Sequence, residues 1–128
     1  MLLNFNFLIS GINLSSFSKQ NSVTITNNKF NIKVAFKLFN EGLIRGYKYN
    51  INKITIFLKY TNQGNYPVIK KISSGISKGR LVFLSIKQIS KLVHTQEIYL
   101  ISTIKGILTA KECLYYNVGG VFVCKIII

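Results

Sequence analysis

Residues 27–60 read NNKFNIKVAFKLFNEGLIRGYKYNINKITIFLKY, and the period of the apolar residues changes inside that stretch. From Asn28 to Glu41, Phe30, Val34 and Leu38, with Ala35 and Phe39, recur at helical spacing. Asn27 and Asn28 supply an N-terminal cap, and Gly42 fits the C-terminal stop. Lys29, Lys33 and Lys37 then form a straight basic stripe, which is expected to face water on the side opposite the core. After Gly42 the pattern turns β-branched and aromatic. Strands are expected over 44–49 and 53–60, with a turn at Asn50-Ile51-Asn52. One helix feeding two short strands sets the class as α+β.

Outward from that stretch, Leu2, Leu3, Phe5, Leu8, Ile9 and Ile12 predict an N-terminal helix, and residues 22–26 alternate like a strand. Downstream, residues 61–65 read as a turn, 68–72 as a strand and 73–79 as a loop. That loop is the expected boundary between an N-terminal lobe, 1–73, and a C-terminal lobe, 74–128. Strands follow at 80–85 and 97–103, with a short helix or turn at 86–93 between them. Thr109-Ala110-Lys111-Glu112 matches a capping box, so a helix is expected to about Tyr116. Asn117 and Gly119-Gly120 end it. The nearly continuous apolar run 121–128 reads as a strand buried on both faces.

Charge narrows the function. The 128 residues carry 17 Lys and Arg against three Glu and no Asp, a formal net charge of +14. Apolar residues are 48% of the chain, enough for a core. Glu41, Glu97, Glu112 and the single His94 are too few and too scattered for paired-acid catalysis or a metal cluster. Cys113 and Cys124 lack a metal-binding spacing and read as reduced, buried thiols. No enzyme activity, cofactor or small-molecule substrate is expected. A chain this basic calls for a polyanion, which means nucleic acid or an anionic membrane surface. The membrane reading requires a helix with a large exposed apolar face, whereas the strand-like apolar runs point to an internal core.

Phe, Tyr, Ile, Asn and Lys together make up 64 residues, and Lys outnumbers Arg 15 to 2. All five have A- and T-rich codons. The gene is therefore read as belonging to an AT-rich genome, organellar or bacterial. Residues 1–18 contain no charged side chain, and Asn4, Asn6 and Asn13 interrupt the apolar run. This matches neither a signal peptide nor a transit peptide. An organelle-encoded product is the resulting expectation, with mitochondrion preferred and plastid as the alternative.

The segment Ser102-Thr103-Ile104-Lys105-Gly106-Ile107-Leu108-Thr109 gathers hydroxyls, a cation and a glycine into what reads as one strand-to-helix loop. Hydroxyls and backbone N–H groups donate to phosphates and ribose 2′-OH groups, and the helix that follows would favour an anion at its start. With Gly119-Gly120 and a final strand containing Cys124, this segment resembles bacterial-type small-subunit ribosomal protein eight. Val23-Thr24, Lys29, Glu41-Gly42-Leu43-Ile44 and Leu58-Lys59-Tyr60 follow the same family order, and the resemblance covers about residues 2–128.

The resemblance implies two small packed α/β lobes and direct binding to the central domain of small-subunit rRNA. It also implies neighbouring small-subunit proteins as partners and a part in organising the platform. By position, Ser102, Thr103, Lys105, Gly106 and Thr109 would meet RNA, and Gly119 and Gly120 would shape the adjacent turn. Lys29, Lys59 and Tyr60 would serve the N-terminal lobe, with Lys78 and Arg80 adding charge. Two departures stand out: Ile104 replaces a serine of the family loop, and Val121 replaces the glutamate after the glycine pair.

Overall fold

The computed structural model describes residues 2–61, 66–75 and 80–128, and the side chains of residues 2–4 are not considered. The expected turn at 61–65 and loop at 73–79, including Lys78, fall largely outside those residues. The chain is α+β and divides into two units, Met1–Lys71 and Ile72–Ile128.

The first unit runs α1 (Leu2–Phe17), β1 (Ser22–Thr26), α2 (Lys29–Asn40), β2 (Ile44–Tyr49) and β3 (Lys53–Leu58). Its antiparallel sheet has the order β1-β3-β2. Alternation on β3 sends Ile54, Ile56 and Leu58 into the core. Phe5, Leu8, Ile9 and Ile12 of α1 and Val34, Ala35 and Leu38 of α2 join them there. The Phe5 and Phe30 rings meet edge to face at 5.1 Å. Gly11 lets α1 approach β1, since a Cβ there would stand 2.9 Å from a Val23 methyl.

The cap of α2 forms as its sequence predicts: the Asn31 N–H donates to the Asn28 side chain at 2.7 Å. Gly42 takes φ +75°, ending the helix in the conformation that glycine tolerates best. The buried face differs from the expected one. Lys37 is buried and pairs with Glu41 at 3.2 Å, while Phe39 is exposed. The stripe of three lysines is thus broken at its last member, whose stem packs inward while its ammonium keeps a carboxylate.

The second unit runs β4 (Lys71–Ser74), β5 (Phe83–Leu84), α3 (Ile86–Leu92), β6 (Ile98–Thr103), β7 (Gly106–Thr109), α4 (Ala110–Tyr116) and β8 (Gly120–Ile127), with Lys71 as the junction. Its sheet has the order β4-β8-β6-β7, and β5 also pairs with β8. Residues of α3 and α4 pack together, and Ile89, Ile101, Leu108, Ala110 and Cys113 form a buried cluster. The last strand is central, as its apolar run implies, and none of its residues is fully exposed.

Three expectations are corrected here. The strand expected at 68–72 starts only at Lys71 and reaches Ser74, because Pro67 instead closes a bridge to Tyr60. Of 80–85 only Phe83 and Leu84 form a strand, the Val82 carbonyl before them accepts the Phe122 N–H at 2.8 Å, and Ser85 leaves the strand to cap α3 in a capping box with Gln88. The segment 102–109 is a hairpin rather than a strand-to-helix loop. β7 pairs with β6 in the register Thr103↔Gly106 and Ser102↔Ile107.

Candidate nucleic-acid interface

The hairpin makes Ile104 and Lys105 its two-residue tip. Such a turn needs backbone conformations that most side chains resist, and Gly106 supplies one with φ +106°. Thr103 locks the tip from within. Its hydroxyl donates to the Gly106 carbonyl at 2.9 Å and accepts the Lys105 N–H at 3.1 Å. The half-buried Ser102, one step earlier, makes no such hydrogen bond through its hydroxyl among the described residues. Of the two adjacent hydroxyls, one builds the turn and the other is available to a ligand. Lys105 stands exposed, its ammonium 4.8 Å from the centre of the Tyr116 ring. Ile104 is 93% exposed beside it.

Thr109 caps the helix that follows it. Its hydroxyl accepts the Glu112 N–H at 3.4 Å, and its own N–H donates to Glu112 Oε1 at 3.1 Å. The start of α4 therefore has its capping box closed and a carboxylate in its first turn. That corrects the expectation of an anion-favouring helix start.

Gly119 and Gly120 enter β8 between two neighbours. A Cβ on Gly120 would lie 2.2 Å from the Ser102 carbonyl oxygen, and one on Gly119 would lie 2.7 Å from that of Leu84. The pair is a close-approach device that seats β8 against both β6 and β5 and holds Ser102 in place. Val121 then pairs with Phe83 on one side and Ser102 on the other.

The remaining predicted residues lie outside this hairpin in the chain. In the first unit, Lys29 is exposed at the start of α2. Lys59 Nζ donates to the Gly42 carbonyl at 3.1 Å. The Tyr60 hydroxyl donates to the Gln20 carbonyl, with the Ser15 carbonyl also in reach at 3.4 Å. Burial pushes the Tyr60 phenol up, and Arg45 acts against that shift. Lys19, Asn21, Arg45 and Tyr60 line an open pocket. Arg80 is exposed, and Lys78 lies outside the described residues.

Other chemistry is sparse. Cys113 and Cys124 are buried and not joined in a disulfide, and burial pushes the Cys124 thiol up to about 12, so Cys124 forms no reactive thiolate near neutral pH. Among the described residues no group of three His, Cys, Asp or Glu could hold a metal ion, and no helix is long and apolar enough to cross a membrane.

The sequence profile described as ribosomal protein S8 matches residues 6–127. The chain belongs to the ribosomal protein S8 family. Among its relatives, small ribosomal subunit protein uS8m of Acanthamoeba castellanii is 33% identical over 122 residues, covering 93% of this chain and 94% of the relative. The uS8 of Brucella melitensis is 32% identical, covering 84% of each chain. That of Borrelia garinii is 29% identical and covers 93% of this chain and 92% of the relative. S8 proteins are structural constituents of the ribosome and not enzymes, which agrees with the shortage of catalytic groups. Within this S8 chain the sequence reading passed over Tyr116, which supports the tip cation. Its signal was present, an aromatic pair one turn beyond Lys111 at the end of a capped helix.

Proposed function

We propose that the protein binds the central domain of small-subunit rRNA directly, through the lobe 74–128, and supports assembly of the subunit platform. The observation that carries this reading is the β6–β7 tip. A free Ser102 hydroxyl, an exposed Lys105 and the exposed Gly106 backbone stand together on a turn that Thr103 has already ordered. Preordering removes much of the entropic cost of fitting a groove. Lys105, Arg80 and Lys78 supply phosphate contacts, and Ser102 reads the 2′-OH and base edges of a structured RNA. Gly119 and Gly120 hold the tip against the sheet, and Lys29, Lys59 and Tyr60 give a secondary surface on the lobe 1–73. Neighbouring small-subunit proteins are the other partners.

The site of action is the mitochondrial ribosome in the matrix, with the protein encoded in the organelle. The match to a uS8m protein over 93% of this chain and the bias toward amino acids with AT-rich codons support this placement. Cosedimentation with the mitochondrial small subunit tests it, and cosedimentation with the plastid subunit alone overturns it.

The direct test is binding of the full chain to the matching central-domain rRNA fragment at two salt concentrations, against a scrambled RNA of equal length. Preference for the cognate fragment that survives the higher salt supports specific recognition. Equal binding to both RNAs, vanishing with salt, overturns it and leaves charge alone as the source of affinity.

A further inference from the structure

Tyr115 and Tyr116 have no part in the core. They end α4, whose buried residues are Ala110 and Cys113, and Asn117 turns the chain away immediately after them in a left-handed conformation. Tyr115 is 83% exposed and Tyr116 45%. An exposed tyrosine pair at a helix end would ordinarily be free to rotate. These rings are instead held edge to face, with centres 5.0 Å apart and planes at 89°. Lys105 stands over Tyr116 from the hairpin tip, so one ring is fixed by a cation and the other is fixed by the first ring. Lys111 lies one turn before Tyr115 on the exposed side of the same helix. The result is an exposed aromatic pair at the end of α4, with Lys105 over one ring and Lys111 one helical turn before the other.

We propose that Tyr115, set by Tyr116 and Lys105, is a stacking platform for one unpaired nucleobase of the RNA that meets the β6–β7 tip. This rests on the rRNA-binding reading and adds to it a contact with a base face rather than with backbone or groove. A nucleobase is the occupant that fits: its π-face matches an open ring, and its phosphates match Lys105 and Lys111. A lipid surface or an apolar protein groove would call for a wider apolar rim, and Ile104 is the single apolar side chain at the tip itself.

The test uses the full chain and the central-domain rRNA fragment, in its native form and in a form whose unpaired bases have been given pairing partners. Tyr115→Ala should lower affinity for the native fragment about 5- to 150-fold, the range that stacking one base supplies. It should leave affinity for the fully paired fragment, the thermal midpoint and the slope of affinity against salt unchanged. Tyr115→Phe, which keeps the ring, should bind like wild type. Lys105→Ala should instead reduce the salt slope by about one. Wild-type affinity in Tyr115→Ala overturns the stacking platform while leaving rRNA binding intact. An equal loss in Tyr115→Phe overturns it as well, because the hydroxyl and not the ring would then be the contact. Absence of any cognate preference in the wild-type chain overturns both readings.

Discussion

The two units carry similar residues to opposite ends. In the first, two of the groups that sequence marks for RNA, Lys59 and Tyr60, are engaged internally, while Lys29 is exposed. Lys59 reaches the Gly42 carbonyl and Tyr60 the Gln20 carbonyl, and Arg45 Nε donates to the Leu58 carbonyl at 2.8 Å. In the second, Thr103 makes the side-chain bonds of the tip, which leaves the Ser102 hydroxyl and the Lys105 ammonium outside them. A polar side chain is available for recognition when a neighbour already satisfies the backbone around it. The N-terminal unit thus uses its cations and phenol to hold its own loops, and the C-terminal unit uses one threonine to free the residues beside it.

Glycine gives the sharpest way to break this comparison. Gly120→Ala would drive a methyl to 2.2 Å from the Ser102 carbonyl, and backbone on both sides leaves little room to yield. We expect a loss of about 3 kcal/mol in stability, the upper part of the overpacking range, together with loss of RNA binding. Gly46→Ala in β2 meets nothing within 4 Å and should change stability by no more than a few tenths of a kcal/mol. Chemical denaturation of the two variants, side by side, checks the pair. A mild Gly120→Ala would mean that β8 does not need its close seat on β6.

The two hydroxyls of the tip come next. Ser102→Ala should lower affinity for the cognate rRNA fragment by roughly fivefold to tenfold, about the worth of one hydrogen bond, with the unfolding midpoint unchanged. Thr103→Val should act through stability as well. Losing both turn bonds is expected to cost about 1–2 kcal/mol in unfolding and to lower affinity by loosening the tip. Thr103→Ser should restore most of both. If Ser102→Ala destabilises and Thr103→Val does not, the assignment of the two roles is reversed.

How much of this was legible follows the same line. α2 announced itself through the spacing of Val34, Ala35 and Leu38, an asparagine cap and a terminal glycine, all local signals. The capping box of α4 was equally local. The hairpin was not, since β7 is four residues long and its turn is Ile-Lys, without the Asn-Gly or Asp-Gly that marks a tight hairpin. Only pairing with β6 defines it. Lys37 misled because periodicity knows nothing of Glu41 folding back beside it. From sequence Gly119-Gly120 reads as a helix stop and a turn, yet its role includes proximity, which exists only once Leu84 and Ser102 arrive from elsewhere in the chain. The tip's residues were named in advance, whereas the division of labour among them was a matter of hydrogen bonds.

The smallest expected effects lie in the first unit. Tyr60→Phe removes the donor that the Gln20 carbonyl uses, so it should cost about 1 kcal/mol of stability while RNA affinity stays within about twofold of wild type. Lys59→Met keeps the stem and removes the ammonium that reaches Gly42. Lys59 is exposed, and a few tenths of a kcal/mol is the expected cost. The slope of log affinity against log salt is the more telling readout. A lysine that neutralises a phosphate contributes about one to that slope, and a lysine that only holds its own loop contributes nothing. An unchanged slope in Lys59→Met, beside a slope reduced by about one in Lys105→Ala, would place the working charge in the C-terminal unit. A slope reduced equally in both would show that Lys59 exchanges its Gly42 carbonyl for a phosphate on binding, and the contrast between the units would then hold only for the free protein.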